Sequence, residues 1–293
     1  MLRDTEVQRV IRAGSTWVLQ TRNRTLRAGR VVVATGKDHT PVIPAWPGKA
    51  GFTGELVHAA AYRNASPYRG ADVLVVGTGN SGSEIALDLA EGGAEHVRLA
   101  VRTPPNLTRR SVAGVPNDVF AIAMRPLPPR LVDELGWWMQ RFSFGDLSAY
   151  RFTRPPEGVY TRLRRHGTIP TIDGGGFVRA VKAARIETVA GLARFDASHV
   201  VLDDGTRLSP ALVVAATGYR PNLEPLVGHL GVLDPKGRPL AHGPRTHPRA
   251  PDLHFIGFTD PISGNIRETR LAARELARYT AAAPPASPAP RSG

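Results

Sequence analysis

The sequence predicts an α/β fold in which a strand–helix–strand unit is inserted into a second domain, and three observations carry that prediction. An uninterrupted apolar strand at Val73–Val76 runs through a glycine-rich turn into a helical pattern, and then into a second apolar strand at His96–Val101. Two stretches of short extended runs broken by turn residues, 5–35 and 185–218, flank that unit. Each stretch ends on nearly the same string, VVVATG at Val31–Gly36 and VVAATG at Val213–Gly218, which suggests that the chain leaves one domain and re-enters it at those points.

Composition narrows the classes. With 293 residues the chain is long enough for two ordinary domains. No apolar run approaches the ~20 residues of a membrane span. The start, MLRDTEVQRV, lacks the apolar core of a signal peptide, so the expected location is cytoplasmic. Cysteine is absent, which removes disulfides, thiolate nucleophiles and zinc–thiolate sites. The nine histidines show no metal-ligand spacing, so no metal is expected. The net charge of +13 invites a nucleic-acid reading, but only Lys37, Lys49, Lys182 and Lys236 are lysines, the arginines are spread along the chain, and aromatics make up 6%. A nucleic-acid surface concentrates its basic residues, so no such partner is expected.

The elements follow in order. Residues 1–36 read as a partial domain, a β meander built from EVQRVI, TWVLQTR and VVVAT. Residues 37–70, rich in Pro and Gly, read as a linker. The inserted domain is expected over 71–209, with an irregular, partly helical insert at 104–170 and a short helix from Phe177 to Ala184. An Asp204-Gly205 hairpin signal lies near its end. Residues 210–280 return to the first domain through a strand at LHFIGF and a helix from about Asn265 to Tyr279, and 281–293 form a Pro/Ala/Ser-rich tail expected to be disordered.

The glycine turn carries the chemistry. Gly77, Gly79 and Gly82 stand in G-x-G-x-x-G spacing between strand and helix, with Thr78, Asn80 and Ser81 between them. The first glycine allows the tight turn, the second lets a pyrophosphate approach the backbone, and the third lets helix and strand pack closely. Ser81-x-x-Glu84 reads as a capping box that fixes the helix start. An NAD site places a carboxylate about 20 residues beyond the turn. This chain has Arg102-Thr103 there and no acid between Ala100 and Pro105. A guanidinium pairs a 2′-phosphate through parallel hydrogen bonds, so the expected ligand is NADP(H) on a Rossmann-like domain.

Phe52-x-Gly54-x-x-x-His58-x-x-x-Tyr62 resembles the F-x-G-x-x-x-H-x-x-x-aromatic signature of the flavin-containing monooxygenases, which lies just ahead of their NADP turn. Ala216-Thr217-Gly218-Tyr219 is similar to a later motif of that family, and Gly257–Glu268 to its C-terminal turn and helix start beside the flavin. The resemblance implies an NADP-binding domain inserted into the remainder of an FAD-binding domain. It implies hydride passing from NADPH to FAD, followed by oxygenation of a small organic substrate by O2. It assigns cofactor contacts to Thr35, Gly36, Thr217, Gly218, Ser263 and Asn265, with the helix start at Ser263–Asn265 favouring reduced flavin. The absence of cysteine separates the chain from the disulfide-reductase branch that shares the glycine pattern.

One departure sits at the front. The family opens with a first glycine-turn unit of at least ~30 residues for the FAD diphosphate, whereas the only G-x-G-x-x-G here is at Gly77. The chain therefore resembles the family's later two thirds. The alternative expectation is a non-catalytic NADP-binding fragment or subunit that needs a complementing FAD-domain chain; a homodimer is the other expected assembly. No catalytic side chain is assigned. His58 reads as structural, and Gly174–Gly176 as a flexible junction, since no Gly-Lys-Ser/Thr follows. Gly79–Ser83 lacks the last glycine of a hydrolase elbow. The stripe Leu131, Leu135, Trp137-Trp138 and Met139 reads as ordinary packing, with a substrate-channel role as the alternative.

Overall fold

The structure, a computed structural model, describes residues 1–112, 114–124, 126–261 and 264–282. The chain divides into two units: Pro41–Gly218, and Met1–Thr40 together with the chain from Tyr219 onward. These divisions fall beyond residues 36 and 209, where the sequence reading placed the domain ends.

The Pro41–Gly218 unit is organised by a five-stranded parallel sheet in the order Glu187–Ala190, His96–Val101, Asp72–Val76, Leu212–Ala215 and Glu55–His58. Strands buried on both faces need continuous apolar sequence, and DVLVV, HVRLAV and LVVA supply it. Alternate side chains point to opposite faces. Val73, Val75, Val97, Leu99, Leu212 and Val214 meet Ile85, Ala86 and Leu89 of the helix Asn80–Glu91, together with Phe177, Val178 and Val181 of the helix Phe177–Lys182. Leu74, Val76, Ala100 and Val213 meet Leu192, Phe195, Val200 and Leu202 of a small antiparallel sheet formed by Leu192–Asp196, His199–Leu202 and Arg207–Leu208. Each fully buried Val, Leu, Ile or Phe among them contributes about 1.5–3 kcal/mol. Arg98 ties three strands together, donating to Glu187 Oε2 at 3.0 Å and to the Asp72 carboxylate.

Two expected features take other forms here. The linker contributes Glu55–His58 as an edge strand of the sheet, and Leu212–Ala215, expected in the return segment, lies inside it. The insert holds helices at Asn117–Ala123, Pro129–Phe144 and Val159–His166, and a parallel pair of Leu107–Arg109 with Thr171–Asp173. Asp133 joins the second and third of these helices, accepting the Tyr160 N–H at 2.7 Å. The expected packing stripe is only partly packed. Helix Pro129–Phe144 buries Val132, Gln140 and Phe144, which leaves Leu131, Leu135 and Trp138 on the opposite, exposed face, with Trp138 63% and Phe142 92% exposed.

The other unit contains an antiparallel meander of Val7–Ala13, Thr16–Thr21 and Thr25–Ala28. Its third strand is TLRA rather than the expected VVVAT. Val31–Val33 instead pairs in parallel with Leu253–Phe255, a partner more than 200 residues away that no local pattern reveals. Trp17, Val10, Val31, Val33, Leu223, Val227, Leu253 and Phe255 form the core, and Trp17 donates its indole N–H to the Pro251 carbonyl at 3.1 Å. A helix spans Asn265–Ala282. Of the tail expected to be disordered, 281–293, Ala281 and Ala282 instead end this helix, and 283 onward lies outside the described residues. Among those residues, no helix is long and apolar enough to cross a membrane and no acidic, histidine or cysteine cluster could hold a metal ion.

Candidate functional site

The turn between Asp72–Val76 and Asn80–Glu91 uses its three glycines for different reasons. Gly77 has φ 117°, and a Cβ there would stand 2.4 Å from the Ala216 carbonyl oxygen. A Cβ on Gly82 would stand 1.9 Å from the Gly77 carbonyl oxygen. Both glycines are therefore demanded by the protein's own packing. Gly79 is not: its φ is −74° and a Cβ there would meet nothing within 4 Å. The backbone N–H groups of Asn80, Ser81 and Gly82 have no acceptor among the described residues; the first bond of the helix runs from Ser83 N–H to Gly79 O at 3.0 Å. A helix start whose first N–H groups lack an acceptor attracts an anion.

The capping box does not form. Gly79 is the N-cap, no side chain caps the helix, Ser81 already lies within it and Glu84 is exposed. The helix begins at Asn80, earlier than the Ser81 pattern implied, and Asn80 is occupied otherwise. Its Oδ1 accepts the Ile172 N–H at 2.7 Å, while the Thr171 hydroxyl donates to the Thr78 carbonyl at 2.5 Å. Thr171 and Ile172 thus fasten the turn, and no sequence signal pointed to them. Arg102, just past the end of the strand His96–Val101, is exposed and makes no hydrogen bond or ion pair among the described residues; Thr103 follows it half-buried.

The signature residues all serve the frame around this turn. Phe52 packs on Phe195 with ring centroids 4.7 Å apart, and a Cβ on Gly54 would run into the Phe52 ring at 2.6 Å. His58, 6% exposed, ends the edge strand. Its Nδ1 accepts the Ala60 N–H at 3.0 Å, so its Nε2–H donates to the Gly218 carbonyl at 3.0 Å. Both ring nitrogens are engaged in structure. Tyr62 donates to Asp88 of the glycine-turn helix at 2.5 Å, and burial with the Asp88 carboxylate pushes its phenol well above the usual range. Thr217 donates its hydroxyl to the Val42 carbonyl. Ala216, just before it, touches both Gly77 and Gly82, so the Ala216–Gly218 segment lies directly against the glycine turn.

Thr35, Gly36 and Asn265 belong to the other unit. Gly36 has φ 82°. Asn265 opens the last helix and accepts the Thr269 hydroxyl at 3.1 Å; Ser263 lies outside the described residues. Sequence reasoning missed the ion cluster beside them. Lys37 Nζ stands 2.6 Å from Asp38 and 3.2 Å from Asp260, whose side chain is 13% exposed. Burial pushes the Asp260 carboxyl up, partly offset by Lys37. Burial lowers the Lys37 ammonium, but its two carboxylate partners hold it above its ordinary value.

Residues 2–114 match the pyridine nucleotide-disulphide oxidoreductase family. A probable indole-3-pyruvate monooxygenase of Arabidopsis thaliana, YUCCA9, is 34% identical over 233 residues, 78% of this chain and 54% of that protein. An indole-3-pyruvate monooxygenase of Oryza sativa subsp. indica, YUCCA8, is 33% identical over 236 residues, 78% of this chain and 55% of that protein. The chain spans about half the length of the curated relatives it matches. Among solved structures, the flavin-containing monooxygenase of Stenotrophomonas maltophilia has a TM-score of 0.66 at 22% identity, covering 96% of this chain and 71% of that one. A structure titled as OTEMO in complex with FAD and NADP has a TM-score of 0.65 at 13% identity, covering 95% of this chain and 66% of that one. Those likenesses establish the two-dinucleotide-binding fold. With the sequence identity to the curated relatives, they show that the chain belongs to the flavin monooxygenase family.

Proposed function

We propose that the chain serves an NADPH- and FAD-dependent oxidoreductase of the monooxygenase type, which oxygenates a small organic substrate with O2. One observation carries the dinucleotide part of this reading. Gly79 is a glycine that no described neighbour requires, and it caps a helix whose first three N–H groups have no acceptor among the described residues. A ligand whose phosphates approach the backbone accounts for both. The unpaired Arg102 supports the 2′-phosphate of NADPH, with Thr103 beside it.

When bound, NADPH and FAD together supply hydride transfer and the activation of O2. The chain's own contribution is position. Gly77–Gly82 would hold the pyrophosphate, His58 and Thr217 fix the 216–218 turn, and Thr171 with Ile172 fixes the glycine turn. Thr35, Gly36, Thr217, Gly218, Ser263 and Asn265 are the residues we assign to cofactor contacts around the flavin. Identity with the curated relatives supports this side of the reading. It also takes the cytoplasm as the place of work, and a homodimer or a complementing FAD-domain chain as the assembly; cell fractionation and sedimentation test those points.

Purified protein tests the activity. A yellow preparation that consumes NADPH in air supports the enzyme. A colourless protein that binds NADPH without oxidising it overturns the enzyme reading for this chain and favours the binding subunit. Arg102→Ala should weaken NADPH by about tenfold or more, the worth of one charge-assisted pair, and leave NADH nearly unchanged.

A further inference from the structure

We infer that Asp203 is a second specificity residue of the dinucleotide site, opposing Arg102 and opening the site to NADH as well as NADPH. This inference rests on the dinucleotide reading above. Arg102 and Asp203 lie about a hundred residues apart in sequence, and the sheet brings them together. Strand Glu187–Ala190 runs parallel to His96–Val101 with Ala190 beside Val101, so the next residues, Gly191 and Arg102, emerge side by side. The turn after His199–Leu202 then folds over Gly191, with the Asp203 N–H donating to the Gly191 carbonyl at 2.8 Å.

Gly191 marks how close the two charged residues are. A Cβ on Gly191 would stand 2.3 Å from Asp203 Oδ2 and 3.1 Å from Arg102 Cβ, so both side chains border a single point. Both are exposed, and among the described residues neither makes a side-chain hydrogen bond or ion pair. The neighbouring Asp204 is already engaged, accepting from Arg151 at 2.9 Å, so Asp203 is the carboxylate left beside Arg102.

The chemistry of such a pair is mixed. A guanidinium attracts a 2′-phosphate, whereas a carboxylate a few ångströms away repels that dianion and accepts a hydrogen bond from a bare 2′-hydroxyl. Reading along the strand end found no acid near Arg102; the fold supplies one from elsewhere. The site should therefore discriminate less sharply than Arg102 alone would allow.

Calorimetric titration of the purified chain with NADPH and with NADH, for wild type and Asp203→Asn, tests this. The substitution is isosteric at an exposed turn, and melting curves of both proteins check the fold. Removing the charge should tighten NADPH and weaken NADH, moving the ratio of their dissociation constants by about tenfold at low salt and by less at high salt. Asp203→Glu, which keeps the charge, should stay on the wild-type side of that shift. A ratio unchanged within about twofold, with NADPH still binding to both proteins, overturns this inference and leaves the proposed function standing. Wild type that binds neither nucleotide overturns both.

Discussion

The two Ala-Thr-Gly turns, 34–36 and 216–218, share a tripeptide, follow parallel strands and have glycines at nearly the same angle, φ 82° and 83°. Their surroundings differ. At 216–218 the Thr217 hydroxyl is bonded to Val42, the Gly218 carbonyl receives the His58 ring, and Ala216 is wedged against Gly77 and Gly82. At 34–36, Ala34 and Thr35 are exposed and Thr35 makes no side-chain hydrogen bond among the described residues. The repeated string therefore encodes a way of ending a strand, and the role of each copy comes from what folds against it. One copy is a fixed wall of the dinucleotide turn. The other presents its polar groups outward, which suits the cofactor contact we propose for it.

Substitutions rank along that difference. Gly82→Val is expected to be the most damaging, because a side chain there overlaps the Gly77 carbonyl with no flexible neighbour to yield. It should destabilise the unit by more than about 3 kcal/mol in denaturant unfolding, at the upper end of single-residue effects. His58→Ala comes next. It leaves a cavity and strips the Ala60 N–H and Gly218 carbonyl of their partners, for a loss of about 2–3 kcal/mol by the same measurement. Thr217→Val keeps the shape and removes one hydroxyl bond, so about 1 kcal/mol is expected. Thr35→Val should change stability by no more than about 0.5 kcal/mol, as for an exposed residue without a structural bond. If Thr35→Val proved as costly as Thr217→Val, the contrast between the two turns would be wrong.

The ion cluster beside the outward turn adds a pH test. Lys37→Met leaves Asp260 largely buried without its cation. Because the folded protein holds the Asp260 proton more tightly than the unfolded chain does, stability contributed by this group is present at low pH and declines as pH rises through the carboxylate range. The decline in Tm with rising pH should be steeper in Lys37→Met than in wild type; identical pH profiles would show that Lys37 does not serve Asp260.

The glycine turn and its flanking strands were legible because they are local: spacing, apolar runs and the arginine at the strand end sit within one stretch of about thirty residues. The signature was legible as a resemblance, but its purpose emerged only in three dimensions, where Phe52, Gly54, His58 and Tyr62 brace the sheet edge and the turn helix. What escaped was non-local. Val31–Val33 leaves the meander for Leu253–Phe255, Thr171 reaches Thr78, and Asp203 reaches the neighbourhood of Arg102. The helix start was misplaced for a different reason. Gly79 can cap through its backbone alone, and the Asn80 side chain is drawn away to Ile172, so a serine pattern two residues on counts for little. The exposed face of Pro129–Phe144 shows the same limit, since helical spacing defines a stripe without saying whether anything covers it.

The central claim is that Gly79 is kept for a ligand and not for the fold. NADPH titration of Gly79→Ala beside wild type, with unfolding followed on both, tests it most directly. The methyl group meets nothing inside the protein, and the weaker N-cap preference of Ala opposes the entropy gained in the unfolded chain, so stability should change by less than about 1 kcal/mol. Affinity for NADPH should nevertheless fall by about tenfold or more, since the methyl stands where the pyrophosphate must approach. Undiminished affinity in a variant of unchanged stability would contradict the account.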